Sequence, residues 1–242
     1  MAQLQGSITS VSLGPGDPDL ITVKALRQLK GADLIYYPGT VEDGGVITGV
    51  AYDILKTYDL DSSCFRGILV PMSRSREAAE KRYDKAYASM LQAVGKGLLV
   101  VVVSVGDGGF YSTASAIVER ALADGVECSM TPGIPAFIAA GSAARLPLAL
   151  NDDSVVVLAQ IDTLDELEKM LQEHQTVVVM KLSTVRDELL VFLERYRGAF
   201  LYAEKVGMAG QFLTTDTEAL KGRIIPYFSL LVCSRRWSNN QL

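Results

Sequence analysis

From Leu98 to Val105 the chain reads LLVVVVSV, a run of branched apolar residues without polar alternation. A strand with one wet face alternates polar and apolar positions. A strand without that alternation is covered on both faces, as in a parallel sheet flanked by helices. The neighbouring segments fit this architecture. SITSVSL (7–13), DLIYYPG (33–39) and GILVPM (67–72) read as further strands. Between them lie helical patterns: TVKALRQLKGA, with Val23, Leu26 and Leu29 at helical spacing and Gly31 at its end; GVITGVAYDILKTY; and the long amphipathic SREAAEKRYDKAYASMLQAVGKG, closed by Gly95 and Gly97. FYSTASAIVERALADG is the next helix. Alternation of this kind predicts an α/β fold whose N-terminal part carries a mainly parallel sheet.

The stretch Thr131–Ala136, TPGIPA, breaks both periods with two prolines and a glycine. It marks the expected boundary between an N-terminal domain, 1–130, and a C-terminal domain, 131–242. Beyond it the alternation resumes through AFIAAGSAARL (helix), SVVVLAQ (strand), TLDELEKMLQEH (helix), TVVVMKL (strand), TVRDELLVFLERY (helix), AFLYAEKV (strand) and a final strand, PYFSLLVCS. The tail RRWSNNQL is polar and reads as loose. A chain of 242 residues is long enough to give two such domains a core each.

Several function classes are disfavoured. The net charge of −5 argues against a general nucleic-acid binder, which needs a basic surface. No apolar run approaches the roughly 20 residues of a membrane span, and MAQLQGSITS has neither the basic start nor the apolar core of a signal peptide. The expected location is the cytoplasm. Cys64, Cys128 and Cys233 match no metal spacing. His174, the single histidine, reads as a solvated residue at a helix C-terminus. No protein-held metal is expected.

Two loops attract chemistry. The first, Gly14-Pro15-Gly16-Asp17-Pro18, follows a strand and suggests phosphate binding by its glycines alone. Its details speak against that. No Lys-Ser/Thr follows, Asp19 stands where a dinucleotide fingerprint has its third glycine, Pro15 and Pro18 remove N–H donors, and Asp17 adds negative charge. A rigid strand-to-helix turn is the simpler reading. The second loop, Ser104-Val105-Gly106-Asp107-Gly108-Gly109-Phe110-Tyr111, follows the most apolar strand and opens a helix. Ligands of open α/β sheets sit at such carboxyl ends. Glycines let a ligand approach the backbone, the helix start offers N–H groups to a carboxylate, and Asp107 offers an acceptor to an amine or a ribose. A flexible turn with a capping aspartate is the alternative. In PMSRSREAAEKRYDK (71–85), Arg74 and Arg76 precede a helix at a strand end, where an anionic substrate would be met, although such charge runs are usually a solvated face. Met180-Lys181 reads as core followed by a strand-end charge.

Taken together, G-P-G-D-P-D-L-I-T-x-x-A after the first strand, S-V-G-D-G-G-F-Y after the fourth and PGIPAF at mid-chain resemble the tetrapyrrole (corrin and porphyrin) methylase family, in order and across nearly the whole chain. YYPGT, PMSRSREAAEKRYDKAYASM, GDGGFYSTAS and YFSLLV are most similar to the branch that methylates C20 of precorrin-2 or cobalt-factor II in cobalamin synthesis. The resemblance implies two α/β domains with a ligand cleft between them, a homodimer, a tetrapyrrole substrate and S-adenosyl-methionine (SAM) as methyl donor. It implies that Pro15, Gly16 and Asp17 face the tetrapyrrole, with Arg74, Arg76 and Arg82 for its carboxylates. It implies that Val105, Gly106, Asp107, Phe110, Pro135, Ala136, Met180, Phe228, Ser229 and Leu230 contact SAM. Asp17, Asp107 and then Tyr111 are the groups placed to assist removal of the C20 proton. Two positions depart from the family pattern: its usual G-D-P is Gly106-Asp107-Gly108, which implies a more mobile loop, and its polar pair after P-G-I/V is Pro135-Ala136, which leaves backbone carbonyls and packing for contact. Another acceptor (a different tetrapyrrole position, diphthamide or ribosomal RNA) and a SAM-binding module without catalysis are the alternatives.

Overall fold

A computed structural model describes residues 6–41, 47–69, 76–112 and 114–237, with backbone only for 76–79. The chain divides into two units, Met1–Pro135 and Ala136–Leu242.

The first unit contains strands β1 (Ser7–Ser12), β2 (Leu34–Val41), β3 (Ile47–Thr48), β4 (Phe65–Leu69), β5 (Leu99–Ser104) and β6 (Cys128–Thr131). Its helices are α1 (Val23–Lys30), α2 (Val50–Leu55), α3 (Arg76–Val94) and α4 (Ala114–Ala123). The sheet runs β3-β2-β5-β1-β6, with β4 also on β2. All pairings are parallel except β2 with β3. Strand β5, the valine run, lies between β1 and β2 and is buried on both sides. Successive side chains point to opposite faces. Ile8, Tyr36, Val100 and Val102 pack with Tyr83, Tyr87 and Met90 of α3 and Ile117 of α4. Val11, Ile35, Tyr37, Val101 and Val103 pack with Leu29 of α1 and Ile54 and Leu55 of α2. Each fully buried aliphatic side chain contributes about 1.5–3 kcal/mol. Both faces are needed to hold one strand.

Two local differences from the sequence reading stand out. Of the stripe Val23, Leu26 and Leu29, only Leu29 is fully buried, together with Ala25, and Val23 is exposed. The segment read as one helix from Gly45 begins instead with β3, where Ile47 and Thr48 pair with Val41 and Thr40. The bare α-carbon of Gly67 makes room for Ile47, since a Cβ there would lie 2.6 Å from the Ile47 side chain. Tertiary pairing overrides helical propensity in that short piece.

The second unit contains α5 (Ala136–Ala144), β7 (Val155–Leu158), α6 (Leu164–Glu173), β8 (Thr176–Met180), α7 (Arg186–Arg195), β9 (Ala199–Glu204), β10 (Phe212–Thr214) and β11 (Ser229–Ser234). Its sheet order is β10-β9-β11-β8-β7. Strand β11 runs antiparallel between β8 and β9, and only β7 with β8 is parallel. Leu167, Leu171, Val177, Val179, Leu189, Phe192, Tyr202 and Leu231 form its core. The start of the polar tail is docked rather than loose. Trp237 is buried and its indole N–H donates to the Pro147 carbonyl at 2.8 Å, Arg236 pairs with Asp153, and the Arg235 N–H donates to the Gln175 carbonyl. One large aromatic outweighs the polarity of its neighbours. Among the described residues no helix is long and apolar enough to cross a membrane.

Candidate ligand site at the strand ends

At the carboxyl ends of β1, β5 and β6 three loops are tied together. Gly14 and Gly106 exchange backbone hydrogen bonds: the Gly106 N–H donates to the Gly14 carbonyl at 2.6 Å, and the Gly14 N–H to the Gly106 carbonyl at 3.2 Å. Both have positive φ, +81° and +79°, a backbone region that costs any other residue. The two loops singled out from the sequence therefore form one backbone junction.

The opening turn is stiff. Pro15 and Gly16 are buried. The Asp17 carboxylate accepts the Asp19 N–H at 3.0 Å and caps a short 3-10 turn at Pro18–Leu20. The Tyr58 hydroxyl donates to the Pro18 carbonyl at 2.8 Å. Burial, with help from Asp19 and Asp17, pushes that phenol up to about 12, so it stays a donor.

In the second loop Asp107 is a bridge. One carboxylate oxygen accepts the Gly109 N–H at 2.8 Å, and the other accepts the Gly133 N–H at 2.7 Å. The first contact caps its own loop, while the second binds that loop to the segment after β6. A carboxylate has about four acceptor sites, so both oxygens keep capacity for a ligand. Gly108 donates its N–H to the Ser12 hydroxyl and accepts from Ser115 at its carbonyl. Around Gly106, nothing lies within 4 Å of where a Cβ would stand, so its α-carbon is open to close approach. Val105, half-buried, packs toward the core below. Phe110 and Tyr111 meet edge to face at 4.6 Å, with Tyr111 exposed and in the left-handed region, φ +52°.

In the second unit, Met180 ends β8 in register with Leu230. The next residue, Lys181, is left-handed (φ +56°) and donates its N–H to the Ser229 carbonyl at 3.0 Å. Lys205, after β9, repeats the arrangement at φ +48°, donating to the Phe228 carbonyl at 2.8 Å. Leu230 and Ser229 are buried, and Phe228 is exposed with Tyr227 edge to face against it. Met180, Phe228, Ser229 and Leu230 are thus gathered at one end of this sheet. Beside them Glu204, almost fully buried, accepts from the Tyr202 hydroxyl at 2.6 Å and from Arg223 at 2.8 Å. The Arg223 guanidinium lies over the Phe212 ring at 3.7 Å. Burial disfavours the Glu204 charge, but Arg223 and Tyr202 outweigh it and hold the carboxyl below its usual value.

A sequence model described as Tetrapyrrole (Corrin/Porphyrin) Methylases matches residues 7–220. The chain belongs to the tetrapyrrole methylase family. It is similar to the probable cobalt-precorrin-2 C(20)-methyltransferase of Methanocaldococcus jannaschii, 31% identical over 81% of this chain and 80% of that one. It is likewise similar to the cobalt-precorrin-2 C(20)-methyltransferase of Salmonella typhimurium, 27% identical over 97% and 98%. In fold it resembles the uroporphyrin-III C-methyl transferase from Thermus thermophilus complexed with S-adenyl homocysteine, with a TM-score of 0.60, 20% identity and coverage of 95% and 97%.

As a tetrapyrrole methylase, the chain spreads its expected site residues unevenly. Pro15, Gly16, Asp17, Val105, Gly106, Asp107, Phe110 and Tyr111 fall on or beside one junction. Pro135 ends the first unit and Ala136 begins the second. Arg82 is exposed on α3, Arg74 lies outside the described residues, and Arg76 opens α3 with its side chain outside the description. Sequence reading missed Glu204 with Arg223, whose pairing is long-range, and the buried serines Ser10, Ser12 and Ser104. The serines left a signal. In SITSVSL, Ile8, Ser10 and Ser12 alternate, placing hydroxyls on the strand face that packs against α3 and α4.

Proposed function

We propose that this protein is a SAM-dependent C-methyltransferase that methylates C20 of precorrin-2 or cobalt-factor II in cobalamin biosynthesis. The observation that carries the reading is the near end-to-end similarity to the Salmonella cobalt-precorrin-2 C(20)-methyltransferase, across 97% of this chain. It is supported by a loop whose geometry suits a cofactor: Gly106 is open to close approach, and its neighbours are tethered by Asp107.

SAM, when bound, supplies a methyl group on a sulfonium. Transfer of that group is an in-line displacement in which charge disperses, so the protein's task is alignment, which can lower a barrier by about 7–11 kcal/mol. Val105, Gly106, Asp107 and Phe110 of the first unit are assigned to the cofactor. Pro135, Ala136, Met180, Phe228, Ser229 and Leu230 are assigned to it as well, Leu230 lying in register beside Met180. Phe110, Met180 and Phe228 would exclude water from the reacting groups. Pro15, Gly16 and Asp17 are assigned to the tetrapyrrole, with Arg74, Arg76 and Arg82 meeting its carboxylates. Asp107, with a backbone N–H on each oxygen, is ascribed to holding the loop. Assistance in removing the C20 proton then falls to Asp17 first and Tyr111 next. The homodimeric state and the cytoplasmic location belong to the same reading.

The test is incubation with SAM and either precorrin-2 or cobalt-factor II, followed by mass spectrometry and NMR. One added methyl at C20 is expected. Methylation elsewhere would reassign the acceptor, and absence of SAM binding in calorimetry would overturn the reading. Sedimentation checks the dimer.

A further inference from the structure

On β1 the side chains of Ile8, Ser10 and Ser12 share one face of the sheet. On β5 those of Val100, Val102 and Ser104 share the same face in register, Ile8 beside Val100, Ser10 beside Val102 and Ser12 beside Ser104. Most of that face is the apolar core against α3 and α4. At the carboxyl end it turns polar without becoming wet: Ser10, Ser12 and Ser104 are 1%, 1% and 3% exposed.

The Ser12 hydroxyl is used in both directions. It accepts the Gly108 N–H at 2.8 Å and donates to the Thr131 carbonyl at 2.8 Å. The Ser10 and Ser104 hydroxyls are buried with no hydrogen-bond partner among the described residues. Unpaired buried hydroxyls are destabilising relative to apolar groups of the same shape, so their presence calls for a physical reason.

That reason lies directly above them. A Cβ on Gly108 would stand 2.8 Å from Ser10 Oγ, 3.1 Å from Ser104 Oγ and 3.4 Å from Ser12 Oγ. Gly108 is absent from the positive-φ glycines, unlike Gly106. Its backbone conformation would accept a side chain, and the nearest atoms one would meet are the three serine oxygens. A proline at 108 would also lose the N–H that Ser12 accepts.

We propose that Gly108, Ser10 and Ser104 are a matched set that fixes the height of the glycine loop over the sheet, making Ser10 and Ser104 positioning residues for the cofactor that the loop receives. The inference rests on the assignment of that loop to SAM. The serines leave space for nothing larger than a hydrogen on residue 108. Glycine in turn lets the loop settle low enough for Asp107 to reach Gly133.

A mutant cycle tests it, with SAM affinity by calorimetry and the melting temperature measured on each protein. Gly108→Ala lifts the loop and weakens SAM binding about ten-fold or more, in line with overpacking at a tight site. Ser10→Ala with Ser104→Ala weakens SAM several-fold while the melting temperature holds or rises, because unpaired polar groups have been removed. A purely structural role could not separate the two readouts in that direction. The triple variant, in which the alanine methyl takes the space of the two oxygens, binds SAM better than the Gly108→Ala protein. The proposal is overturned if Gly108→Ala has the same effect in both backgrounds, or if the serine pair can be removed without change in SAM affinity. Should Gly108→Ala fail to fold, the serine pair alone still decides through its opposite effects on affinity and melting. If the unaltered protein binds no SAM, the cofactor assignment falls, and the cycle in melting temperature decides the packing separately.

Discussion

Asp107 shows how one side chain can tie two loops together. Its two oxygens hold Gly109 and Gly133, residues 2 and 26 positions away. Hydrogen bonds to a charged group contribute about 1.5–3 kcal/mol each. Asp107→Ala is therefore expected to weaken SAM binding by about ten-fold or more and to lower the melting temperature. Asp107→Asn keeps one acceptor and should lose less of both. Equal affinities for the three proteins would show that the loop holds its shape by other means. A second residue-scale expectation concerns the substrate: Arg74→Ala with Arg76→Ala should weaken tetrapyrrole binding and spare SAM, read by titrating each ligand separately. The sequence made the capping role of Asp107 legible, because an aspartate before two glycines is a familiar turn former. It could not reveal Gly133 as the second partner, since that contact exists only once β5 and β6 flank β1.

At the scale of elements, the Glu204 group fastens the end of β9 to the segment that leads into β11. Its carboxyl titrates below its usual value because Arg223 and Tyr202 favour the charged form against burial. A depressed carboxyl contributes stability that is full above its unfolded value of about 4.3 and is lost as pH falls through the folded value. The melting temperature should accordingly drop below about pH 5 more steeply in the unaltered protein than in Glu204→Gln, which is expected to be less stable at neutral pH but flatter in acid. Parallel curves would remove Glu204 from the account. Element types were largely readable from periodicity: the valine run, the helix stripes and the glycine stops each carry a local signal. Strand direction is different. LLVCS has the same pattern whether it runs up or down, and β11 enters antiparallel, so its neighbours could not be named from pattern alone. The two-residue β3 was hidden for a related reason, its pairing being decided by β2 rather than by Ile47 and Thr48 themselves.

For the whole molecule, the docked tail is the most direct test of how the second unit is finished. Trp237 and Arg236 pin the segment after β11 to Pro147 and Asp153, near the start of that unit. Trp237→Ala removes a buried aromatic and its hydrogen bond, and should cost about 3–5 kcal/mol of stability in denaturant unfolding. The central place of β11 also has a consequence in time. A ribosome extrudes β8 and β9 before the strand that belongs between them, whereas every described strand of the first sheet has emerged by Thr131. Folding during synthesis proceeds from the N-terminus. The nascent first unit can therefore complete its sheet early, and the second must keep a strand-wide gap open until Ser229–Ser234 arrives to fill it.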